Sequence, residues 1–319
     1  MNLIGIDLGG TNIAVGLVDE NGNILKKVST PTLATRPSEQ ILDDMAKCCF
    51  DVCREAGINI SDVDFCGIAS PGLCDSIRGV VERSNNLPFN GYPMVEELKK
   101  RTGIKNIRVE NDANAAAKGE AEVGAAKGYN TSVMITLGTG VGGGIIIDHK
   151  VYSGFNFAGA ELGHMVIVKD GYPCTCGRHG CFEAYCSATA LARITREKME
   201  KHPESVMWEI CSHDASKVNG RTAFDAMRRG DKWGCEVVDE YIGFLACGVA
   251  NLINIFQPQV FSIGGGISNE RDTLLLPLIE KVKDEIYTAT TGVPSTKICI
   301  AQLRNDAGIV GAAMLGVNA

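Results

Sequence analysis

The chain has 319 residues, 45% hydrophobic and 22% charged, which supplies core material for one large domain or two lobes and excludes a mostly disordered chain. Lys and Arg number 31 against 38 Asp and Glu, a net charge of −7. That balance excludes a general nucleic-acid-binding surface, though a small polyanion can still be held by backbone N–H groups and a metal ion. No uninterrupted apolar run approaches the ~18–20 residues of a membrane span, and the start Met1-Asn2-Leu3-Ile4-Gly5-Ile6-Asp7 lacks the basic segment of a signal peptide. The expectation is a cytoplasmic protein without nucleic-acid or membrane partners, whose 13 cysteines are reduced thiols with a metal site among them.

From the N-terminus, Gly5-Ile6-Asp7-Leu8-Gly9-Gly10-Thr11 reads as a strand entering a glycine–threonine turn. An apolar run to Val18-Asp19, followed by Asn21-Gly22, completes a hairpin. Thr30 to Pro37, with Pro31 and Pro37, reads as a loop. Ser38 to Ala56 has apolar residues at helical spacing, with Ser38 as N-cap and Gly57 as the stop. Val63 to Ala69 reads as a strand ending in the loop Ser70-Pro71-Gly72. Ile107-Arg108-Val109 is a short strand leading into Glu110-Asn111-Asp112, and the Ala-rich stretch up to Ala126 is a helix that Asp112 could cap. The domain boundary is expected near Val109, giving one lobe of residues 1–110 plus 306–319 and a second of 111–305.

A second copy of the first hairpin follows. Met134-Ile135-Thr136-Leu137-Gly138-Thr139-Gly140 runs on through Ile145-Ile146-Ile147-Asp148, with Thr136 where the first copy has Asp7. Two such hairpins predict two similar lobes, each offering a glycine-rich turn. Lys232 to Ile255 reads as a long amphipathic helix, Gln259 to Ile263 as a buried strand, and Asp306 to Leu315 as a closing helix. Gly264-Gly265-Gly266 stands between that strand and a helix expected near Asn269. Strand–helix alternation of this kind argues for an α/β fold.

A phosphate chain needs backbone that approaches closely and points several N–H groups inward, which glycine permits. Gly9, Gly10 and Thr11, Gly138, Thr139 and Gly140, and Gly264, Gly265 and Gly266 meet that need, with the threonine hydroxyls as added donors. Any one of these is ordinarily just a tight turn; three together point to a nucleotide. Gly138, Gly140 and Gly143 satisfy G-x-G-x-x-G, but the dinucleotide fingerprint requires a following helix and Gly142 to Ile147 reads as a strand, so that reading is rejected. No G-x-x-x-x-G-K-[ST] sequence is present.

His164, Cys174, Cys176 and Cys181 form H-x9-C-x-C-x4-C. Three thiolates and one imidazole suit a closed tetrahedral zinc site of structural type, with Gly177 and Gly180 supplying turns. The bland alternative is an incidental group of core cysteines, and a redox role is disfavoured because Cys174 and Cys176 are spaced C-x-C.

Asp7-x-Gly9-Gly10-Thr11, Glu110-Asn111-Asp112, Gly159-x-Glu161-Leu162-Gly163-His164 and Cys174-x-Cys176-Gly177-x-x-Gly180-Cys181-x-Glu183 together resemble the ROK (repressor, open reading frame, kinase) family of sugar kinases. The resemblance runs from the first strand to the Asp306-Ala307-Gly308 helix and is greatest to bacterial ATP-dependent glucokinases. It implies the two-lobed actin/hexokinase/Hsp70-like (ribonuclease H-like) ATPase fold with a zinc-binding loop at 164–181, the two lobes closing on the sugar to exclude water. It implies Asp112 as catalytic base, taking the proton of a sugar 6-hydroxyl as the γ-phosphoryl of ATP transfers. Asn111, Glu161, His164 and Glu183 would bind the sugar, as would Asn86 and Gly72 in their loops, and Asp7 would orient Mg²⁺ through water. His164 could serve both zinc and sugar, one ring nitrogen to each.

The expected reaction is phosphorylation of a hexose, glucose first, with N-acetylmannosamine, N-acetylglucosamine, allose or fructose as alternatives, by a homodimer or higher homo-oligomer. A sugar-responsive repressor of the same family would carry a helix-turn-helix segment before Asp7, where this chain has no room for one. An actin- or Hsp70-like ATPase would have no use for the sugar-reading residues.

Overall fold

The computed structural model describes residues 1–317. Asn318 and Ala319, the end of the expected first lobe, lie outside the described residues. In chain order the elements begin with β1 (Leu3–Leu8), β2 (Asn12–Val18), β3 (Ile24–Pro31), α1 (Ser38–Ala56), β4 (Phe65–Ser70), β5 (Leu73–Asp75), β6 (Val80–Arg83) and β7 (Asn90–Tyr92). They continue with α2 (Met94–Thr102), β8 (Ile107–Asn111), α3 (Asp112–Glu122), β9 (Ser132–Leu137), β10 (Val141–Ile147), β11 (Lys150–Val151), α4 (Glu183–Cys186) and α5 (Ala188–Lys201). Last come α6 (Met207–Ile210), α7 (Thr222–Arg228), α8 (Lys232–Phe256), β12 (Val260–Gly264), α9 (Asp272–Glu285), β13 (Lys297–Ile300) and α10 (Ala307–Met314). The contacts divide them into a first unit of Met1–Ser132, Gly144–Ala160 and the stretch from Gln302, and a second of Val133–Gly143 and Glu161–Ala301.

The first unit is built on a five-stranded sheet in the order β3-β2-β1-β4-β8, with β1, β4 and β8 parallel and β2 and β3 antiparallel to their neighbours. Side chains alternate across a strand. Ile4, Ile6 and Leu8 of β1 therefore join the core under α1 and α2, while Leu3, Gly5 and Asp7 face α10. Two glycines on the α10 face let the helix approach: a Cβ at Gly5 or Gly67 would strike the carbonyls of Ile309 or Ala312, so at these points the helix lies directly on the sheet backbone. A small antiparallel sheet, β5-β6-β7, completes this unit.

The break expected near Val109 lies elsewhere. Gly119 of α3 abuts Gly311 of α10, and Gly311 in turn packs on the Ala115 carbonyl, so α3 stays with the first unit and the division falls after Ser132. Three element boundaries also differ from expectation. Thr30 and Pro31 belong to β3 and not to a loop, paired with Ile13 and Asn12; the sheet edge tolerates a proline that lacks an N–H. The N-cap of α1 is Pro37, because the Ser38 hydroxyl donates instead to the Pro88 carbonyl at 2.6 Å; Gly57 ends the helix at φ 73° as expected. Helix α3 stops at Glu122, short of Ala126, where the Glu120 carboxylate accepts the Ala125 N–H at 2.7 Å and pulls the chain out of the helix.

The second sheet has the order β11-β10-β9-β12-β13, and the division of the chain runs through β9 and β10. In the second unit β12 and β13 pair in parallel, and α8 is the central helix, burying Val237, Tyr241, Leu245, Val249 and Leu252. By length and composition α8 is apolar enough to cross a membrane, yet over half of its most apolar stretch is buried within the protein. The helix expected near Asn269 is a single 3-10 turn, Gly266–Glu270, and α9 begins only at Asp272.

Candidate active site

In the first unit the residues singled out by sequence collect where β1, β4 and β8 end. Their parallel register sets Asp7 beside Ala69, and Ser70 beside Asn111, so three loops leave one edge of the sheet together. Ligands of parallel α/β sheets gather at such carboxyl ends. Asp7 is largely buried there because α10 comes so close: a Cβ on Gly308 would lie 2.5 Å from the Asp7 carboxyl carbon. Burial first, and then the negative charge of Asp112, lift the Asp7 carboxyl to about 6, partly offset by Lys27.

The expectation that Asp112 might also cap α3 fails. Asn111 is the cap, its Oδ1 accepting the N–H groups of Ala113 and Asn114 at 2.9 and 3.2 Å, while its Nδ2 donates to the Gly72 carbonyl at 3.1 Å. Such a cap is worth ~1 kcal/mol, and here it also ties the Gly72 loop to the helix. Asp112 is left at the first helical position. Gly72 has φ 105°, and a Cβ there would strike the Arg83 carbonyl, so only glycine fits. Asn86 stands exposed, its Cβ 3.8 Å from where a Cβ on Gly10 would be.

The turn after β1 is held from behind by a residue that sequence reading placed in a loop. The buried Thr32 donates its hydroxyl to the Gly9 carbonyl at 2.6 Å and its N–H to the Thr11 carbonyl at 2.9 Å. The second unit repeats the device. Thr189 donates its hydroxyl to the Thr139 carbonyl at 2.9 Å, and the Ala188 N–H donates to Gly138 at 2.8 Å. In both turns the carbonyls are occupied from within the fold. A threonine following each hairpin in sequence carries no local pattern, and only the pairing reveals it.

Glu183, at the head of α4, is bound to two of the other expected site elements of the second unit. Its Oε2 accepts the Val141 N–H at 2.9 Å, and its Oε1 accepts the Thr175 hydroxyl at 3.1 Å. A Cβ at Gly140 would collide with that carboxylate, which explains the last glycine of the turn. Thr139, Thr175, Glu183, Thr189, Arg193 and Arg196 line a hollow of about 370 Å³. Gly265, at φ 82°, is pressed against the Leu137 backbone, and a Cβ on Gly264 would meet Met134; of the three glycines only Gly266 has open space where a Cβ would stand. With a single 3-10 turn after it, this run lacks the helix N-terminus anticipated for it.

His164, Cys174, Cys176 and Cys181 come together, their ligand atoms all within 4.8 Å of one another. Cys176 Sγ lies 3.7 Å from Cys181 Sγ, and Cys174 Sγ lies 3.6 Å from His164 Nδ1. A tetrahedron with metal–sulfur bonds of ~2.3 Å has edges of ~3.8 Å, so the four residues fit a tetrahedral cation. Gly180 permits the loop to close, since a Cβ there would strike the Val168 carbonyl. The backbone N–H of Arg178 helps hold the Cys176 thiol below its ordinary pKa, while burial pushes Cys181 up to about 12. Glu161 stands exposed immediately before the 3-10 turn Leu162–His164, its carbonyl accepting the His164 N–H at 3.0 Å.

With this geometry in view, the model of the ROK family matches residues 3–318. The chain belongs to the ROK family. It is 40% identical to a glucokinase of Thermotoga maritima over 316 residues, covering 99% of this chain and 97% of that protein. Among solved structures it is similar to a ROK family glucokinase from Streptomyces griseus in complex with glucose and AMPPNP, with TM-score 0.82, 35% identity and 99% of each chain covered. It is also similar to a ROK hexokinase from Thermus thermophilus, with TM-score 0.81 and 31% identity over 98% of this chain and 97% of that one. The fold of this ROK chain is accordingly the mixed α/β fold of the family's sugar kinases.

Proposed function

We propose that the protein is an ATP-dependent hexose kinase that transfers the γ-phosphoryl group of Mg-ATP to the 6-hydroxyl of glucose. The observation that carries this reading is the placement of Asp112 at the first position of α3, beside Asp7 and the Gly9–Thr11 turn, in a chain alike over its full length to glucokinases.

A sugar hydroxyl is a poor nucleophile at neutral pH. Asp112 accepts its proton as the bond to the γ-phosphorus forms and the bond from that phosphorus to the β,γ-bridging oxygen breaks, leaving ADP. Asp7 would hold Mg²⁺, whose charge would also relieve the repulsion between the two carboxylates. Gly10 and Thr11 in the first unit, and Thr139 and Gly140 in the second, present N–H groups to the phosphates, while the Gly9 and Gly138 N–H groups close the turns on the Asn12 and Gly140 carbonyls, and Gly264, Gly265 and Gly266 border the nucleotide. Asn86, Asn111 and the Gly72 loop read sugar hydroxyls from the first unit, and Glu161, His164 and Glu183 from the second. His164, Cys174, Cys176 and Cys181 hold zinc, which supplies structural cross-linking of the loop and no chemistry of its own. With Nδ1 turned to the cysteines, His164 keeps Nε2 for the sugar. The enzyme works in the cytoplasm, as a homodimer or higher homo-oligomer.

A coupled assay with ATP across glucose, N-acetylmannosamine, N-acetylglucosamine, allose and fructose tests the reading. Glucose is expected to give the highest kcat/KM. ATP-dependent turnover on none of the five would overturn it.

A further inference from the structure

Beside the Asp112 loop, but on the α10 side of β8, lies a cavity of about 430 Å³ that plays no part in the phosphoryl transfer described above. Arg108, Glu110, Lys118, Lys150, Ser76 and Ser153 provide its polar lining, all within the first unit. Its size is that of a small-molecule site, typically ~300–1,000 Å³. Arg108, Lys118 and Lys150 face Glu110 in the lining, and Lys118 is paired with Glu122 behind it, which leaves a surplus of one positive charge in a chain whose net charge is −7.

Two of these charges, Lys118 and Glu110, are buried, and each keeps part of its hydrogen-bonding capacity. Lys118 is 5% exposed; its ammonium donates to Glu122 Oε1 at 2.6 Å and to the His149 carbonyl at 3.0 Å, which uses two of its three N–H donors. Glu110 is also 5% exposed; its Oε1 accepts the Asn111 N–H at 3.0 Å and the Asn114 side chain at 3.1 Å. A carboxylate has about four acceptor positions, so Glu110 retains capacity to accept from a hydroxyl. Arg108 and Lys150 are exposed at the rim, where they can meet an anion.

We propose that this cavity is a second ligand site for a small polyhydroxy monophosphate, with Arg108, Lys150 and Lys118 on the phosphate and Glu110, Ser76 and Ser153 on the hydroxyls. The single acid disfavours a polyanion such as a nucleoside triphosphate, and the volume exceeds what inorganic phosphate would fill. Glu110 also connects the site to the reaction. With Oε1 taken by the Asn111 N–H and the Asn114 side chain, a ligand hydroxyl would meet Oε2 of the same carboxylate, and Asn111 caps the helix that begins with Asp112. Occupancy is therefore read as a change in kcat that does not compete with the sugar, a consequence that rests on the kinase reading, whereas binding itself does not.

The test uses glucitol 6-phosphate, an open-chain polyol phosphate, titrated calorimetrically into the full chain saturated with glucose, with glucitol and inorganic phosphate as controls. The expected result is one saturable site, at least tenfold weaker in the Arg108→Ala/Lys150→Ala double variant, whose kcat and KM without the probe stay at wild-type values. Both substituted side chains are exposed, so folding is preserved. Absence of binding, or equal binding to the double variant, overturns the site; phosphate binding as tightly as the polyol phosphate overturns the role given to Glu110 and the serines. A chain inactive on every hexose would still report the site through the difference between wild type and double variant.

Discussion

The negative charge of Asp112 reaches Asp7: after burial it is the largest cause lifting the Asp7 carboxyl from its ordinary 3.8 to about 6. The two acids are brought together by the parallel register of β1, β4 and β8 and pressed inward by α10. Without a cation and phosphates, this pair is a point of stored repulsion.

That repulsion has a pH signature. Between pH 4 and 6 the folded protein binds more proton at Asp7 than the unfolded chain does, so this contribution to stability is present in full below about 4 and is lost as pH rises through about 6. Asp7→Asn is expected to remove that slope and to raise stability at pH 7 by roughly 1–3 kcal/mol in magnesium- and nucleotide-free protein, while impairing turnover with Mg-ATP. Thermal melts of both proteins from pH 4 to 8 check it; parallel curves would refute the linkage.

Asp112→Ala is expected to lower kcat by ~10²–10⁴, the usual worth of a positioned base, with ATP affinity nearly intact. Asn111 supplies the cap, so α3 should survive and melting should change little. Steady-state kinetics with nucleotide binding measured separately decide the matter, and full activity would remove Asp112 from the reaction.

Glu183→Ala should raise the hexose KM more than the ATP KM. It also leaves the buried Val141 N–H without its acceptor, at ~1–3 kcal/mol, while the exposed Thr175 hydroxyl turns to water. If the two KM values rise equally, Glu183 is only a brace for the Gly138–Gly140 turn.

Thr32→Val and Thr189→Val each remove the hydroxyl behind a turn proposed to hold phosphate. A net hydrogen bond of ~0.5–1.5 kcal/mol corresponds to a rise in ATP KM of roughly two- to tenfold, with the hexose KM unchanged. Unaltered ATP KM in both variants would show that these turns need no support.

Metal analysis of the purified protein should find one zinc per chain, lost from Cys174→Ser/Cys176→Ser. Chelation should lower the melting temperature and weaken hexose binding through His164 while leaving ATP binding in place. Wild-type protein that keeps its stability with no metal bound would eliminate the zinc assignment.

The strands, the long helices and the two hairpins were legible because period-2 and period-3.6 patterns are local properties of a sequence. The His164–Cys181 cluster was legible because its ligands lie within one loop. What escaped was set by distant partners. Ser38 does not cap α1 because Pro88 takes its hydroxyl, and the Ala-rich helix ends early because Glu120 reaches forward to Ala125. Thr32 and Thr189 look like ordinary loop and helix residues until the turns they support are seen. The domain boundary was misplaced for a similar reason: α3 is held by a helix nearly two hundred residues away, and nothing near Val109 announces it.

Because α10 covers one face of the first sheet and follows β13 in the chain, the whole second unit is synthesised before the first can seal itself. Until then the sheet face around Gly5 and Gly67 lacks its cover. A stop ahead of Ala307 would leave every proposed catalytic group but strip that face of its helix.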